Sequence, residues 1–237
     1  IMITLRPAAE RGQASYGWLD TKHSFSFASY YDRNHMHWGP LRVINDDVIA
    51  GAGGFDTHPH HDMEILTYVL SGALEHRDSL GTGSVIRPGE VQLMSAGHGI
   101  AHSEFNHSDK EPVHLLQIWL MPKFTGVKPG YQQTEFAAEE KRGKLRLIAS
   151  GDGAEGSVKM WQDAKVYAAL IDGDESVSHA TDPARHVYVH VARGSVHLNG
   201  QPLQAGDGAR ILGESSLTLD RGQDAEVLLF NMAWDGK

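Results

Sequence analysis

The residues best suited to do chemistry are two short histidine-containing motifs separated by about forty residues. The first is His58-Pro59-His60 and the second is His102-Ser103-Glu104. Side chains alternate between the two faces of a β-strand, so each pair at i and i+2 shares one face of its strand. If the two strands lie opposite one another inside a barrel, three imidazoles and one carboxylate converge on a point. Such a set would bind one transition metal and leave a six-coordinate ion two open positions for chemistry.

Neighbouring polar residues have competing interpretations. A polar row on a solvent-facing strand is the alternative for His58 and His60, but the second pair at a suitable distance favours ligation. Glu104 has two candidate roles, as a ligand or as a general base that contacts the metal only transiently. Glu64 lies an even number of residues from both histidines, and we favour a structural role over that of a reserve ligand. His61 is expected to point to the surface.

A second His-x-His motif, His35-Met36-His37, lies in turn-forming sequence without a partner pair nearby. We interpret it as a loop near the mouth of the site. His98 could line the pocket or stabilise its loop. Five further side chains are candidates for an apolar pocket wall, with ordinary core packing as the alternative for each: Trp38, Phe55, Met63, Phe105 and Trp119.

The composition is that of an ordinary globular protein with an acidic balance. The 237 residues are 41% hydrophobic, include 15 histidines and no cysteine, and carry a formal net charge of −9. This charge disfavours direct contact with nucleic acid, and any metal must take nitrogen and oxygen ligands. No apolar run approaches the roughly 18 residues of a membrane span, and the first residues lack the layout of a secretory signal. We expect a cytoplasmic monomer without membrane contact, and a protein partner is left open.

Short apolar runs separated by Gly, Pro, Asn and Asp predict a mostly β fold. Asn45-Asp46-Asp47 is predicted to be the turn of a hairpin between strands at 41–44 and 48–50. Further strands are predicted at 63–70, 73–77, 90–94, 102–106 and 114–121. The weakly helical stretch is 134–141. The Pro/Gly-broken segment 123–130 predicts a boundary between two domains, residues 1–130 and 131–237.

An internal similarity indicates two copies of one unit. Residues 68–75 followed by 87–91 resemble residues 190–197 followed by 204–208, and each copy has a strand that runs into Gly, a returning strand and a Gly-acid turn. The alternative is a chance likeness between two hairpins. Counting from the shared glycines, the positions of the first copy's histidines and Glu104 are taken in the second by Ala180, Asp182, Leu219 and Arg221. We therefore expect the second copy to shape the site or build an interface without binding metal.

These residues resemble the cupin superfamily and, within it, the pirin family. The cupin motifs are His58-x-His60 with Glu64 and Gly72, and Gly99-x-x-His102-x-x-x-Asn106. The pirin-type signature is closer and consists of Leu41 to Asp47, Thr57 to Ile65, and Met94 to Glu104, preceded by Trp18 and His23 to Phe27. Gly97, where most cupins have Pro, and a ligand glutamate at 104 are both pirin-like departures.

The resemblance implies an all-β bicupin, in which two antiparallel barrels of the double-stranded β-helix type are stacked. It implies a metal held by His58, His60, His102 and Glu104 in the N-terminal barrel only. Similar bacterial members look like quercetinases, so we expect a quercetin 2,3-dioxygenase-like oxidoreductase that opens a flavonol with O2. Glu104 would accept the proton of the 3-hydroxyl group. One divalent metal per chain is expected, with Fe(II) preferred and Mn, Co, Ni, Cu or Zn as alternatives. The alternative function is that of a metal-binding, redox-responsive regulatory protein that acts by binding other proteins.

Overall fold

The computed structural model describes residues 2–236 and has the predicted all-β architecture, with 58% of the chain in strands and 4% in helices. The strands are β1 (Met2–Arg6), β2 (Gly12–Ser15), β3 (Leu19–His23), β4 (Leu41–Ile49), β5 (Gly54–His60), β6 (Glu64–Ser71), β7 (Leu74–Asp78), β8 (Gly83–Ile86), β9 (Glu90–Ser95), β10 (Ile100–Asn106), β11 (Val113–Leu120), β12 (Gly130–Glu135), β13 (Arg146–Ser150), β14 (Val158–Lys159), β15 (Ala164–Ile171), β16 (Val177–Ala180), β17 (His186–Leu198), β18 (Gln201–Gln204), β19 (Gly208–Leu212) and β20 (Ser216–Met232). The helix α1 spans Ala138–Lys141, and short 3-10 turns span Ala8–Glu10 and Ala154–Gly156. Within these residues, no helix has the length and apolar character needed to cross a membrane.

Two antiparallel sheets form the N-terminal barrel. The larger has the strand order β12-β9-β6-β11-β4-β3-β2, and the smaller has the order β5-β10-β7-β8. The strands that carry the two histidine motifs, β5 and β10, are direct neighbours, with His102 opposite His58. The two motifs therefore come together by strand pairing within one sheet rather than by facing each other across the barrel.

A nine-stranded sheet forms the C-terminal barrel, so the prediction of two cupin domains is confirmed. Its main order is β1-β19-β17-β20-β15-β13-β14, with β16 paired to β20 and β18 to β17. The two halves exchange strands: β1 pairs with β19 of the second barrel, and β12 pairs with β9 of the first. The domain limit at residue 130 stays a prediction. Through these pairings, each barrel includes one strand from beyond that limit.

The five strands predicted between residues 63 and 121 are confirmed to within two residues as β6, β7, β9, β10 and β11. The stretch 134–141 is helical only in its last turn, because β12 continues to Glu135. The predicted turn at Asn45-Asp46-Asp47 is wrong, since all three residues lie inside the continuous strand β4. Asp46 is held on one face by Arg11 and His114, at 3.0 and 2.6 Å. Tertiary partners thus override the local turn preference of these residues.

Two clusters of buried apolar side chains belong to the N-terminal barrel alone, and a third, larger cluster forms a core between the two domains. One of the first two contains Leu19, Ile49 and Leu74 with Phe55 packed against it, and the other contains Ile65 and Met94 with Trp119 packed against it. A cavity lined by members of both clusters lies between them. The C-terminal barrel instead has one continuous cluster of buried aliphatic side chains. The division of the first core leaves room for polar side chains inside that barrel.

Candidate metal centre

Three histidines of the N-terminal barrel point at a common centre. His58 and His60 come from β5 and His102 comes from β10. One ring nitrogen of each lies within 4.8 Å of the corresponding nitrogens of the other two, and His60 Nε2 is 3.1 Å from His102 Nε2. The predicted convergence of the three imidazoles is therefore present.

The local strand geometry explains this convergence. His58 and His60 share a face of β5, and the register places His102 beside His58. A β-bulge between His102 and Glu104 shifts the register, so that Glu104 pairs with Phe55 rather than with Asp56. His58 Nδ1 lies 2.7 Å from the backbone oxygen of Asp56, which leaves Nε2 of that ring available to a ligand.

The distances fit a bound transition metal. Metal–nitrogen bonds of about 2.1 Å at right angles place two ligand atoms roughly 3 Å apart. The 3.1 Å between His60 Nε2 and His102 Nε2, and the 3.3 Å between His102 Nε2 and Glu104 Oε1, both match this separation. Two imidazole nitrogens that face each other so closely need a proton or a cation between them, so the donor set suits a metal.

The electrostatics keep the imidazoles of His60 and His102 neutral, as ligands must be. Burial lowers the pKa of His102 to about 2, with His58, His60 and His76 as further causes. Burial also lowers the pKa of His60 to about 4, with further contributions from His58 and His61. At neutral pH both rings therefore present a lone pair rather than a positive charge.

Glu104 lies at the edge of this cluster. The set of atoms within 4.8 Å of one another consists of the three histidines, and Glu104 adjoins it through the 3.3 Å approach to His102. Gln117 Nε2 donates a hydrogen bond of 2.5 Å to Glu104 Oε2. Burial raises the pKa of this carboxyl to about 7, partly offset by the Gln117 hydrogen bond, and Asp47 raises it further. A carboxyl in this range can take up and release a proton near neutral pH, while its role as a ligand stays a prediction.

A buried pair, His76 and Asp78, lies on the Nδ1 side of the His102 ring. The sequence analysis did not predict it. His76 Nδ1 is 3.4 Å from His102 Nδ1, and His76 Nε2 is 2.6 Å from Asp78 Oδ2. If His76 donates to Asp78, its Nδ1 accepts the proton of His102 Nδ1, and His102 Nε2 is then free to bind metal. The i, i+2 spacing of His76 and Asp78 was the available signal, but only the pairing of β7 with β10 connects it to the site.

We expect Asp78→Asn to weaken metal binding by roughly 10- to 100-fold, the range for residues that orient a metal ligand. The asparagine keeps the Oδ1 that accepts from the backbone of Leu80 and Thr82, so the turn is preserved. Its amide group would donate to His76 Nε2, which forces the proton to Nδ1 and removes the acceptor for His102. Competition with a chromogenic chelator measures the metal dissociation constant.

Glu75→Gln is the matched control for this variant, because Glu75 is on the same strand, is partly exposed and makes no contact with His102. We expect its metal affinity to equal that of the wild type. Equal affinities for Asp78→Asn and Glu75→Gln would contradict the orienting role of Asp78.

The cavity beside the three histidines has a volume of about 400 Å³ and a largely apolar wall. Of the five candidates, Phe55 and Trp119 line it, and Phe27 packs edge-on against Trp119 at 5.4 Å between ring centroids. Trp38 packs instead against the core between the two domains, and Met63 packs against the cluster around Ile65. Phe105 is also absent from the wall. His58, His60 and Glu104 also line the cavity, and the remaining wall residues, which the sequence analysis did not predict, are Tyr16, Leu19, Thr21, His23, Ala28, Asn45, Asp47, Ile65 and Gln117.

The other histidines singled out in the sequence lie away from this centre. His61 is exposed, as predicted, with 82% of its side chain accessible. His35 and His37 lie in a loop, but neither lines the cavity, and the His37 ring contacts Trp234 at 5.5 Å. His98 is exposed, and its backbone N–H donates to Val127. Within residues 2–236, His58, His60 and His102 are the one group with metal-binding spacing.

Glu64 has the structural role that was favoured. Its Oε1 accepts hydrogen bonds from Ser95 Oγ at 3.0 Å and from the backbone N–H of Trp161 at 2.6 Å, which connects the two halves of the chain. Burial raises the pKa of Glu64 to about 7, against these two hydrogen bonds. The carboxyl faces partners of its own and not the histidine cluster.

We expect Glu64 to make the folded state less stable as the pH rises. Its pKa is higher in the folded state than the unfolded value of 4.5, so the folded protein binds more protons between about pH 4.5 and 7. The stabilisation is complete below this window and is lost through it. Glu64→Gln keeps the acceptor oxygen and removes the titration. Between pH 5 and 8, the wild type should lose about 1–3 kcal/mol of unfolding free energy that the variant keeps. Urea unfolding of the metal-free proteins measures this, and parallel pH profiles would contradict it.

The fold and the site together define a class. Two antiparallel β-barrels, with a three-histidine centre beside an apolar cavity in the first, are the features of a two-domain cupin. Residues 4–120 match the family model described as Pirin, and residues 147–232 match the one described as Quercetinase C-terminal cupin domain. The chain belongs to the pirin family, as its sequence motifs indicated.

The similarity to known proteins extends over nearly the whole chain. A protein from Escherichia coli (strain K12) named quercetin 2,3-dioxygenase is 48% identical over 231 residues, which cover 98% of this chain and 99% of that protein. A pirin-like protein from Caulobacter vibrioides is 44% identical over 234 residues, 98% of this chain and all of that one. The crystal structure of the bacterial pirin YhhW from Escherichia coli in complex with nickel(II) superimposes with a TM-score of 0.94 at 47% identity, covering 99% of this chain and 100% of that chain. The expected class of quercetin 2,3-dioxygenase-like oxidoreductase agrees with these relatives.

Proposed function

We propose that the protein is a metal-dependent dioxygenase that opens the central ring of a flavonol with O2 at the His58, His60, His102 and Glu104 site. The observation that carries this proposal is a group of three histidine nitrogens at ligand distance, next to a buried carboxyl and an aromatic-lined cavity. The name of the Escherichia coli relative supports the same substrate and reaction.

The chain's own residues supply binding, orientation and proton transfer. The cavity walls Phe27, Phe55 and Trp119 suit a planar aromatic ring and exclude water from its faces. Glu104 would accept the proton of the flavonol 3-hydroxyl, and Gln117 holds that carboxyl in place. When bound, the metal would polarise the enolic oxygen and bring O2 close to the ring. Both oxygen atoms of O2 enter the product, and one ring carbon leaves as carbon monoxide.

The proposal places one metal in the N-terminal barrel and none in the C-terminal barrel. Counted from the shared glycines of the sequence, the ligand positions are taken in the second copy by Ala180, Asp182, Leu219 and Arg221, and a cluster of buried aliphatic side chains occupies its core. The nickel(II) complex of the Escherichia coli relative supports a first-row transition metal in this type of site. Imidazole and carboxylate ligands suit several such metals, and Fe(II) stays our expectation.

Metal analysis and turnover on one preparation test the proposal. We would measure elemental metal content and aerobic quercetin consumption before chelation, after chelation, and after reconstitution with Fe(II), Mn(II), Co(II), Ni(II), Cu(II) or Zn(II). Near-stoichiometric loading by one metal that restores oxygen uptake and carbon monoxide release is the expected result. Stoichiometric binding without turnover by any metal would refute flavonol oxidation and favour the regulatory alternative.

A further inference from the structure

A second group of buried polar side chains lines the same cavity, on the sheet that does not carry the histidines. Thr21 and His23 come from β3, and Asn45 and Asp47 come from β4. All four are at most 6% exposed and all four line the cavity. The register pairs Thr21 with Asp47 and His23 with Asn45, so the four form a compact block on one face of the sheet.

Three atoms of this block have no hydrogen-bond partner. They are His23 Nδ1, Asn45 Oδ1 and Asp47 Oδ1. The other ring nitrogen of His23, Nε2, contacts Thr21 Oγ1 at 2.9 Å. This contact holds the ring in place and leaves Nδ1 without a partner. Buried polar atoms without partners are destabilising and are uncommon in folded proteins. Three of them on one cavity wall indicate that a ligand completes their hydrogen bonds.

The neighbouring residue Asp46 shows that a carboxylate on this strand can find partners within the protein. Asp46 faces the opposite side of β4 and binds both Arg11 and His114. Asp47, one residue along, faces the cavity without a cation beside it, and burial raises its pKa to about 7, with Asp46 as a further cause and the Thr21 hydrogen bond opposing. The missing hydrogen-bond partner of Asp47 is therefore particular to the cavity side of β4 and is not a feature of the whole strand.

The polar block is connected to the proposed catalytic carboxyl. Gln117 on β11 lies opposite Asn45 and donates to Glu104. Adjacent strands are about 4.8 Å apart, so His23 lies roughly 10 Å from Gln117 across the sheet. A planar fused-ring molecule with its enolic oxygen at Glu104 would therefore reach the block with its far edge.

We propose that His23, Asn45 and Asp47 form a subsite that binds the ring hydroxyls of a polyhydroxylated planar aromatic substrate. The inference rests on the proposed function and adds to it the residues that recognise the ring hydroxyls of the substrate. Asn45 Oδ1 and a carboxylate oxygen of Asp47 accept hydrogen bonds, so the ligand must donate them, as phenolic hydroxyls do. Asp47 and Glu104 in one cavity also disfavour a carboxylate or phosphate at this position.

The test compares two flavonols that differ in ring hydroxyls. Quercetin carries hydroxyls on both outer ring systems, whereas 3-hydroxyflavone has only the reacting hydroxyl. We expect the metal-loaded wild type to prefer quercetin by roughly 10- to 100-fold in kcat/KM, since a site with unpaired polar atoms rejects the analogue that lacks their partners. Asp47→Leu and Asn45→Leu should each remove most of that preference, and Asp47→Asn, which keeps an acceptor oxygen, should retain part of it.

The ratio of the two kcat/KM values is the quantity to measure, because Asp47 also raises the pKa of Glu104 and its loss would change both rates together. Asp20→Asn is the matched control, since Asp20 is exposed on β3 and points away from the cavity. Its ratio should equal that of the wild type. The urea midpoint of each leucine variant is measured alongside, because the substitution removes an unpaired buried oxygen but also the paired atoms of the side chain, such as the Asp47 oxygen that accepts from Thr21. A lower midpoint with an unchanged ratio would show a structural role and overturn the subsite.

Equilibrium binding under nitrogen separates this inference from the proposed function. Quenching of tryptophan fluorescence by quercetin gives a dissociation constant that needs no turnover. If the wild type consumes both flavonols and Asp47→Leu leaves both the ratio and the binding unchanged, the subsite is refuted and the dioxygenase proposal stands. If the loaded wild type consumes neither, the dioxygenase proposal fails. In that case weaker quercetin binding by Asp47→Leu supports the subsite, and equal binding refutes it.

Discussion

Glu104→Gln is expected to lower flavonol turnover by about 10²- to 10⁴-fold, the usual contribution of a positioned general base, while most of the metal stays bound. The amide is nearly isosteric with the carboxyl and keeps an oxygen 3.3 Å from His102 Nε2, so a donor to the metal remains. It cannot accept the proton of the substrate hydroxyl. The expected result is therefore a loaded protein that does not turn over.

Elemental analysis and quercetin consumption on the same sample measure the two effects separately. Glu64→Gln is the matched control, because Glu64 is a second buried glutamate whose burial also raises its pKa to about 7, but which contacts Ser95 and Trp161. Its turnover should equal that of the wild type. Wild-type turnover in Glu104→Gln would remove the base role, and complete loss of metal would make Glu104 chiefly a ligand.

His58→Ala is expected to weaken metal binding by more than roughly 100-fold, beyond the range for residues that only orient a ligand. His58 is partly exposed, and its Nδ1 contacts a backbone oxygen that water can reach after the substitution. The variant should therefore fold, and its loss of metal is not a consequence of unfolding. Turnover should fall with metal occupancy.

The measurement is metal content after dialysis, with circular dichroism as the check on folding. His61→Ala is the control, because His61 is three residues along the chain and is exposed to solvent. It should load one metal per chain, as we expect of the wild type. A fully loaded His58→Ala protein would contradict the ligand assignment, and equal losses in both variants would indicate nonspecific binding to surface histidines.

Several features of the site could be predicted because they depend on local spacing. The alternation of side chains in a strand determines that His58 and His60 share a face, whatever the rest of the fold. The same rule placed His61 at the surface. Apolar runs between turn residues located β6, β7, β9, β10 and β11 for the same reason, since each strand must bury one face, whereas β8 was not predicted.

Features that depend on distant partners were missed. Asn45 to Asp47 has the composition of a turn, yet Arg11 and His114 hold Asp46 within a strand, and a cavity accommodates the residues on either side. The exchange of β1 and β12 between the barrels joins residues far apart in the chain, which no local pattern indicates. The native metal, the monomeric state and the cytoplasmic location stay predictions.

The sequence by itself determined the ligand candidates, the β architecture and the pirin family, because these follow from residue types at short and regular spacings. Only the tertiary structure decided which side chains surround those ligands. His76 with Asp78 behind His102, Gln117 on Glu104, and the unpaired block of His23, Asn45 and Asp47 are each brought to the site by strand pairing. Register and pairing between strands are set by the packing of the whole barrel, so the environment that adjusts the chemistry emerges only when the chain is folded.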